Sequence, residues 1–256
     1  MPIRVIYAGS GVHQARASFL KNRKHYLQEA LGLAIFMISA CFFGAMLEGR
    51  GAWLHHAIPV ASARLVLMGV LMGLTALFIF YSPFTSPSGS HINPAVTLTF
   101  LRLGKMCPWD TAFYIIFQFA GGLAAVYIMQ WVIGGPLVNA PVRSVVTVPG
   151  KAGLWPAFCT EFIIAVIMMC MVLFSSRSRQ WQKYTRIIAA CLVCVYVITA
   201  GPVSGFGMNP ARTFASALPS HTWTAIWIYM LAPVAGMLCA AEIYLLVINK
   251  KENTRI

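Results

Sequence analysis

Two copies of Asn-Pro-Ala, Asn93-Pro94-Ala95 and Asn209-Pro210-Ala211, lie inside charge-poor apolar sequence, one in each half of a 256-residue chain. Asn is a favoured helix N-cap and Pro is favoured at the first helical position, so each triplet predicts a helix start. Neither helix has room to grow: the runs are Pro94 to Leu103 and Pro210 to Leu218. At 1.5 Å rise per residue each covers about 15 Å, half of a hydrocarbon core of roughly 30 Å. A lone Asn-Pro is only a turn signal. A matched pair of half-length helices in apolar sequence points to two re-entrant segments.

The surrounding composition fits that reading. The chain is 59% hydrophobic and 10% charged, where a soluble domain carries about 25% charged residues. Six apolar spans are predicted, near 27–47, 64–81, 109–133, 154–174, 187–201 and 222–248. The fold class expected is an all-α membrane protein: six transmembrane helices plus two re-entrant half-helices in two inverted repeats. A channel domain over 27–249 holds repeat one (about 27–133) and repeat two (about 154–248). Residues 1–26 read as a polar, partly disordered tail without a signal peptide, and 250–256 as a second tail.

Six spans put both termini on one side. With that side cytoplasmic, Lys and Arg gather inside: in the N-terminal tail, at Arg102 and Lys105, at Arg177, Arg179, Lys183 and Arg186, and in the C-terminal tail. Only Arg50, Arg64, Arg143 and Lys151 fall outside, and Arg212 alone lies within apolar sequence. The net charge of +13 is thus a topology signal and not a nucleic-acid footprint. Seven Cys in apolar runs form no disulfide framework. Cys191-x-x-Cys194 has no second pair nearby, so buried thiols, not a metal or redox site, are expected. No cofactor is implied.

In this topology the first Asn-Pro-Ala enters from the cytoplasm and the second from outside. Inverted repeats with broken helices place a solute site near the midplane, and irregular backbone survives there only when buried or lining a wet cavity. Both half-helices aim a positive dipole end at the centre, each worth roughly half a charge. Asn93 and Asn209 can offer amide donors to a water there. A water that accepts from both points its hydrogens away from the centre, which interrupts a proton wire, and the dipole ends repel cations. Pro94 and Pro210 fix the starts, while Ala95 and Ala211 are small enough for the ends to abut. Arg212 lies one turn beyond Asn209 on the same face, and a charge within apolar sequence is a functional candidate by default.

Glu29 and Glu161 occupy similar places in the first span of each half, Glu29 at the start of one and Glu161 inside the other. One reading is a proton relay. The favoured one is a carboxylate accepting hydrogen bonds from the re-entrant backbone, which needs such partners at depth. His91, two residues before Asn93, is read as structural too.

These residues resemble the aquaporin family, also called major intrinsic proteins. Ser88 to Thr97 is similar to the family's first box and Gly205 to Arg212 to its second. Tyr114, Gln118-x-x-Gly121 and Pro233-x-x-Gly236 match the third and sixth spans. The resemblance implies a homotetramer in the plasma membrane, one pore per protomer, with passive flux of water or small neutral solutes. It also implies an outer selectivity filter, carried over by spacing to Gly73, Val197, Phe206 and Arg212. Val197 stands where water channels usually have His, and Phe206 resembles glycerol facilitators. Thr213, Ala217 and Tyr229 look like water channels, so the sub-class is mixed.

The expected function is a passive channel for water that also admits glycerol-sized solutes and excludes protons and ions. The alternatives are a glycerol-preferring facilitator and a proton-coupled transporter using Glu29 and Glu161. No acid–base or nucleophile constellation marks an enzyme.

Overall fold

The computed structural model describes residues 11–253, and the described residues form helices joined by short turns. They are α1 (Gly11–Glu48), α2 (Ala61–Tyr81), α3 (Pro94–Arg102), α4 (Pro108–Ile133), α5 (Leu154–Arg177), α6 (Thr185–Thr199), α7 (Pro210–Ala217) and α8 (Ile226–Asn253), with single-turn helices in the connections. Six are long and apolar enough to cross a membrane. The other two, α3 and α7, are the half-helices that Asn93 and Asn209 begin.

Packing repeats between the halves. The most extensive contacts are α1 with α4 and α5 with α8, and α2 with α6 joins the two halves. Lipid tails are as apolar as Leu, so such crossings depend on close van der Waals fit and small residues. Gly121 on α4 lies against the backbone of Ala30, and Gly236 on α8 against the Phe162 carbonyl. A Cβ at either glycine would collide with that backbone. Each half-helix then packs partly on the other half: α3 against α4 and α8, α7 against α4 and α8.

One boundary differs from the sequence reading. Residues 11–26, expected in the tail, are helical and continuous with the first span. The reason is polar and not apolar. Ser18, Asn22 and Tyr26 recur every fourth residue on one face, and all three donate to the carboxylate of Asp110 at the start of α4. Tyr26 is fully buried and packs on Phe113, Tyr114 and Phe117. At its other end the chain keeps α8 going to Asn253, past the expected boundary near 248. The remainder of both expected tails, 1–10 and 254–256, lies outside the described residues.

Candidate functional site

The site is built where the two re-entrant loops meet. Each carries the same pattern, Ser-Gly-x-x-x-Asn-Pro-Ala, at Ser88 to Ala95 and Ser204 to Ala211. Left-handed backbone falls at matching places: Gly89, Ser90 and Ile92 in the first, Gly205, Phe206 and Met208 in the second. Such φ values are costly for residues with a side chain, most of all for β-branched Ile92 at +42°, and persist only where surroundings over-determine them.

The two buried glutamates supply that constraint. Glu29 accepts from Ser88 Oγ (2.6 Å) and the His91 amide (3.0 Å) on one oxygen, and from the Ile92 amide (2.6 Å) and Gln118 Nε2 (2.7 Å) on the other. Glu161 accepts from Ser204 Oγ (2.6 Å), the Gly207 amide (2.8 Å) and the Met208 amide (2.5 Å). Both side chains are fully buried. A tyrosine hydroxyl closes each loop from behind. Tyr114 donates to the Ser88 carbonyl at 2.8 Å, and Tyr229 to the Ser204 carbonyl at 2.5 Å.

Asn93 and Asn209 each do two things. Their side-chain oxygens cap the helices: Asn93 Oδ1 accepts from the Ala95 amide (2.9 Å), and Asn209 Oδ1 from the amides of Ala211 (3.0 Å) and Arg212 (3.2 Å). Their amide nitrogens cross to the opposite loop. Asn93 Nδ2 donates to the Met208 carbonyl and Asn209 Nδ2 to the Ile92 carbonyl, both at 2.7 Å. So one hydrogen of each NH2 group is left to face the cavity, enough for the water that accepts from both Asn residues. Pro94 and Pro210 occupy the first helical position, and Ala95 and Ala211 are fully buried.

Both Asn residues line a cavity of about 570 Å³ that runs between the two halves. Val197, Phe206 and Arg212 line it, and so does the ring of His91. That ring stacks on Phe100 (centroids 4.6 Å apart) and shares a hydrogen bond with Thr97 Oγ1 (3.2 Å). Its backbone amide also binds Glu29, so His91 is both loop support and cavity wall. Nη1 of Arg212 is buried without a partner among the described residues. Most of the remaining wall is apolar, from side chains such as Phe36, Phe80, Val96 and Val193.

Gly73 does not line this cavity and the sequence assignment is corrected here. A Cβ at Gly73 would come 2.9 Å from Cβ of Cys194 and 3.1 Å from the Ala190 carbonyl, so the residue serves the α2–α6 crossing. The cavity-facing residues of α2 are Leu65, Met68, Met72 and Phe80. Counting back from Asn93 across the turn-rich segment after Tyr81, which holds the single turn Ser86–Ser88, did not reach a cavity-facing residue of α2. Sequence reasoning also gave no role to Ser88, Ser204, Gln118, Tyr114 or Tyr229. The repeated Ser-Gly five residues before each Asn was the available signal for the two serines.

Six spans, two inverted half-helices meeting at their N-termini and a cavity through that meeting point define a membrane protein of the aquaporin fold. The family model described as Major intrinsic protein matches residues 16–244, and the chain belongs to that family. Among curated proteins it is 37% identical to Aquaporin NIP2-3 of Zea mays over 161 residues, which is 61% of this chain and 50% of that protein. It is 30% identical to Aquaporin NIP1-2 of Oryza sativa subsp. japonica over 220 residues, 85% of this chain and 69% of that one. The matched segment spans about half the length of several of these relatives. The aquaglyceroporin from Plasmodium falciparum has the same fold, with a TM-score of 0.73 over 87% of this chain and 95% of that chain, at 19% identity.

Proposed function

We propose that this chain is a passive channel for water and small neutral solutes such as glycerol, and that it excludes protons and ions. The observation that carries this is the convergence of Asn93 and Asn209, at two opposed helix N-termini, on one cavity that Arg212 also lines. Positive dipole ends and a buried guanidinium raise the energy of any cation on that path. Each Asn keeps one free N–H, enough to orient a passing oxygen and interrupt a chain of donating waters. The filter we infer is Met68, Val197, Phe206 and Arg212, three apolar side chains and one donor on the same cavity, with Met68 taken on α2 because its neighbour Gly69 meets Ile198, next to Val197; such a set suits a molecule that carries both carbon and hydroxyls. Met68 replaces Gly73 in that set.

The glutamates favour the channel over a proton-coupled transporter. The hydrogen bonds to Glu29 and Glu161 come from the loops and from Gln118, which is the work of a brace and not of a relay. By the charge distribution both termini are cytoplasmic, and by family likeness the protein sits in the plasma membrane and assembles as a homotetramer. Stopped-flow light scattering on proteoliposomes tests the proposal, comparing water and glycerol in the same preparation. Flux above that of empty liposomes, unsaturated and independent of a pH gradient, is expected. Saturable uptake driven by a pH gradient would replace the channel with the transporter.

A further inference from the structure

A second cavity, of about 280 Å³, opens where the early turns of α1 meet the turn between α3 and α4. Lys21, Asn22 and His25 come from α1, Lys105 from the turn, and Asp110 and Tyr114 from α4. Asp110 is the one carboxylate there, and its oxygens are already engaged by Ser18, Asn22, Tyr26 and Cys107. The ion pairs of the described residues are Arg64–Glu48 and Arg102–Glu242, so neither Lys21 nor Lys105 is matched by a carboxylate. Two lysines and a histidine therefore line the cavity beside one carboxylate, whose Oδ1 takes three of these four hydrogen bonds and whose Oδ2 takes the fourth.

The cavity lies at the outer edge of the lipid headgroups. Lys21 precedes Leu27, where the apolar span begins, by six residues, or about 9 Å of helix. The headgroup layer extends about 5–7 Å beyond the hydrocarbon on each side, so the Lys21 backbone stands just past it, a gap that a lysine side chain spans. Trp109, at the start of α4, is exposed on the same side. Basic pockets between membrane helices on the cytoplasmic side are built for anionic headgroups. We propose that this cavity binds the phosphate group of an anionic phospholipid of the cytoplasmic leaflet, an inference that rests on the orientation proposed above.

The cavity also abuts the pathway. The Lys105 ammonium lies 5.6 Å from the ring centre of Phe100, and the Tyr114 ring lies 5.3 Å from that of His91. Phe100 and His91 are both walls of the larger cavity. A bound headgroup thus sits one side chain away from the conduit.

Native mass spectrometry of the purified full chain, with phosphatidylglycerol and phosphatidylcholine in competition, tests this without reference to flux, so its failure is separable from failure of the channel reading. Wild type is expected to retain phosphatidylglycerol with about tenfold preference. The exposed pair Lys21→Gln/Lys105→Gln should fall to near parity. Arg177→Gln/Arg179→Gln, which removes the same charge from the same face outside the cavity, should keep the preference. If the double variant does not fold, the two single Gln variants make the same comparison. No preference in wild type, or equal loss in both double variants, overturns the site. Displacement of phosphatidylglycerol by millimolar inorganic phosphate overturns the lipid and leaves a soluble-anion site.

Discussion

Tyr114 and Tyr229 perform one task in two places: each donates its hydroxyl hydrogen to the carbonyl of the serine that opens a re-entrant loop, Ser88 or Ser204. They sit on α4 and α8, the third crossing helix of each half. The inverted repeat therefore extends beyond topology to individual hydrogen bonds. Serine, glutamate and tyrosine form a bracket on each side, and the loops adopt left-handed backbone at the same positions within it.

Tyr114→Phe and Tyr229→Phe should cost similar amounts, about 1–3 kcal/mol each, because each leaves a buried carbonyl without its donor. Thermal unfolding in detergent reads both. A loss in one and none in the other would mean that the two brackets are not equivalent.

Replacing the glutamates separates brace from relay. At Glu161→Gln the amide oxygen can take the place of Oε1 and keep Ser204 Oγ and the Gly207 amide, while its NH2 faces one donor, the Met208 amide. One lost partner costs about 1–3 kcal/mol, and Glu161→Leu, which loses all three, costs a multiple of that. The Gln variant should conduct once folded. Abolished flux in well-folded Glu161→Gln protein would speak for a proton relay.

Much of this was legible in the sequence because it depends on local chemistry. Asn before Pro and a short apolar run, present twice, marks two helix starts, and apolar spans of membrane length declare themselves. The braces at Glu29 and Glu161 followed from asking which groups could satisfy irregular backbone at depth. What could not be read was register across a variable segment and helix held by polar contacts. Gly73 was misplaced because spacing counted across the irregular segment after Tyr81 does not tell which face of α2 meets the cavity. Residues 11–26 looked like a tail because Ser18, Asn22 and Tyr26 are polar, and their shared partner Asp110 lies far along the chain. The crossed amides of Asn93 and Asn209 join residues from opposite halves, a pairing no local pattern encodes.

The two candidates on α2 predict opposite phenotypes. Gly73→Ala forces a methyl into the α2–α6 crossing, 2.9 Å from Cys194 Cβ, and overpacking of that kind costs about 1–3 kcal/mol. It should lower thermal stability and leave the glycerol-to-water ratio of the surviving protein unchanged. Met68→Ala removes cavity wall and should change that ratio with little loss of stability. The reverse pattern in a paired melting and flux assay would restore Gly73 to the filter.

Arg212→Val should let protons or small cations leak while water still passes. Arg212 and Arg186 are the two arginines of the cavity wall, and Arg212 is the one on a half-helix, one turn after Asn209; removing its guanidinium lowers the electrostatic barrier to a cation. The dipole ends at Asn93 and Asn209 remain, so the leak should be partial. Proton flux into pH-gradient liposomes that matches wild type would show that the dipole ends suffice alone.

Phe206 decides the solute. Its backbone is left-handed at φ +51°, its amide is held by Ser204 Oγ at 3.2 Å, and its ring packs 6.1 Å from that of Tyr196. The ring is therefore fixed as wall of the cavity that Val197 and the donor Arg212 also line. A carbon backbone bearing hydroxyls gains from both surfaces, whereas water uses only the donor. Phe206→Ala keeps the loop's hydrogen bonds, since those involve its backbone, but removes the apolar wall. Water permeability should stay within about twofold, while the glycerol-to-water ratio changes by about 1–2 kcal/mol in effective barrier, roughly fivefold to thirtyfold. Wild-type protein with high water flux and glycerol permeability no greater than that of empty liposomes would instead make this a strict water channel, in which the apolar wall serves to narrow the path.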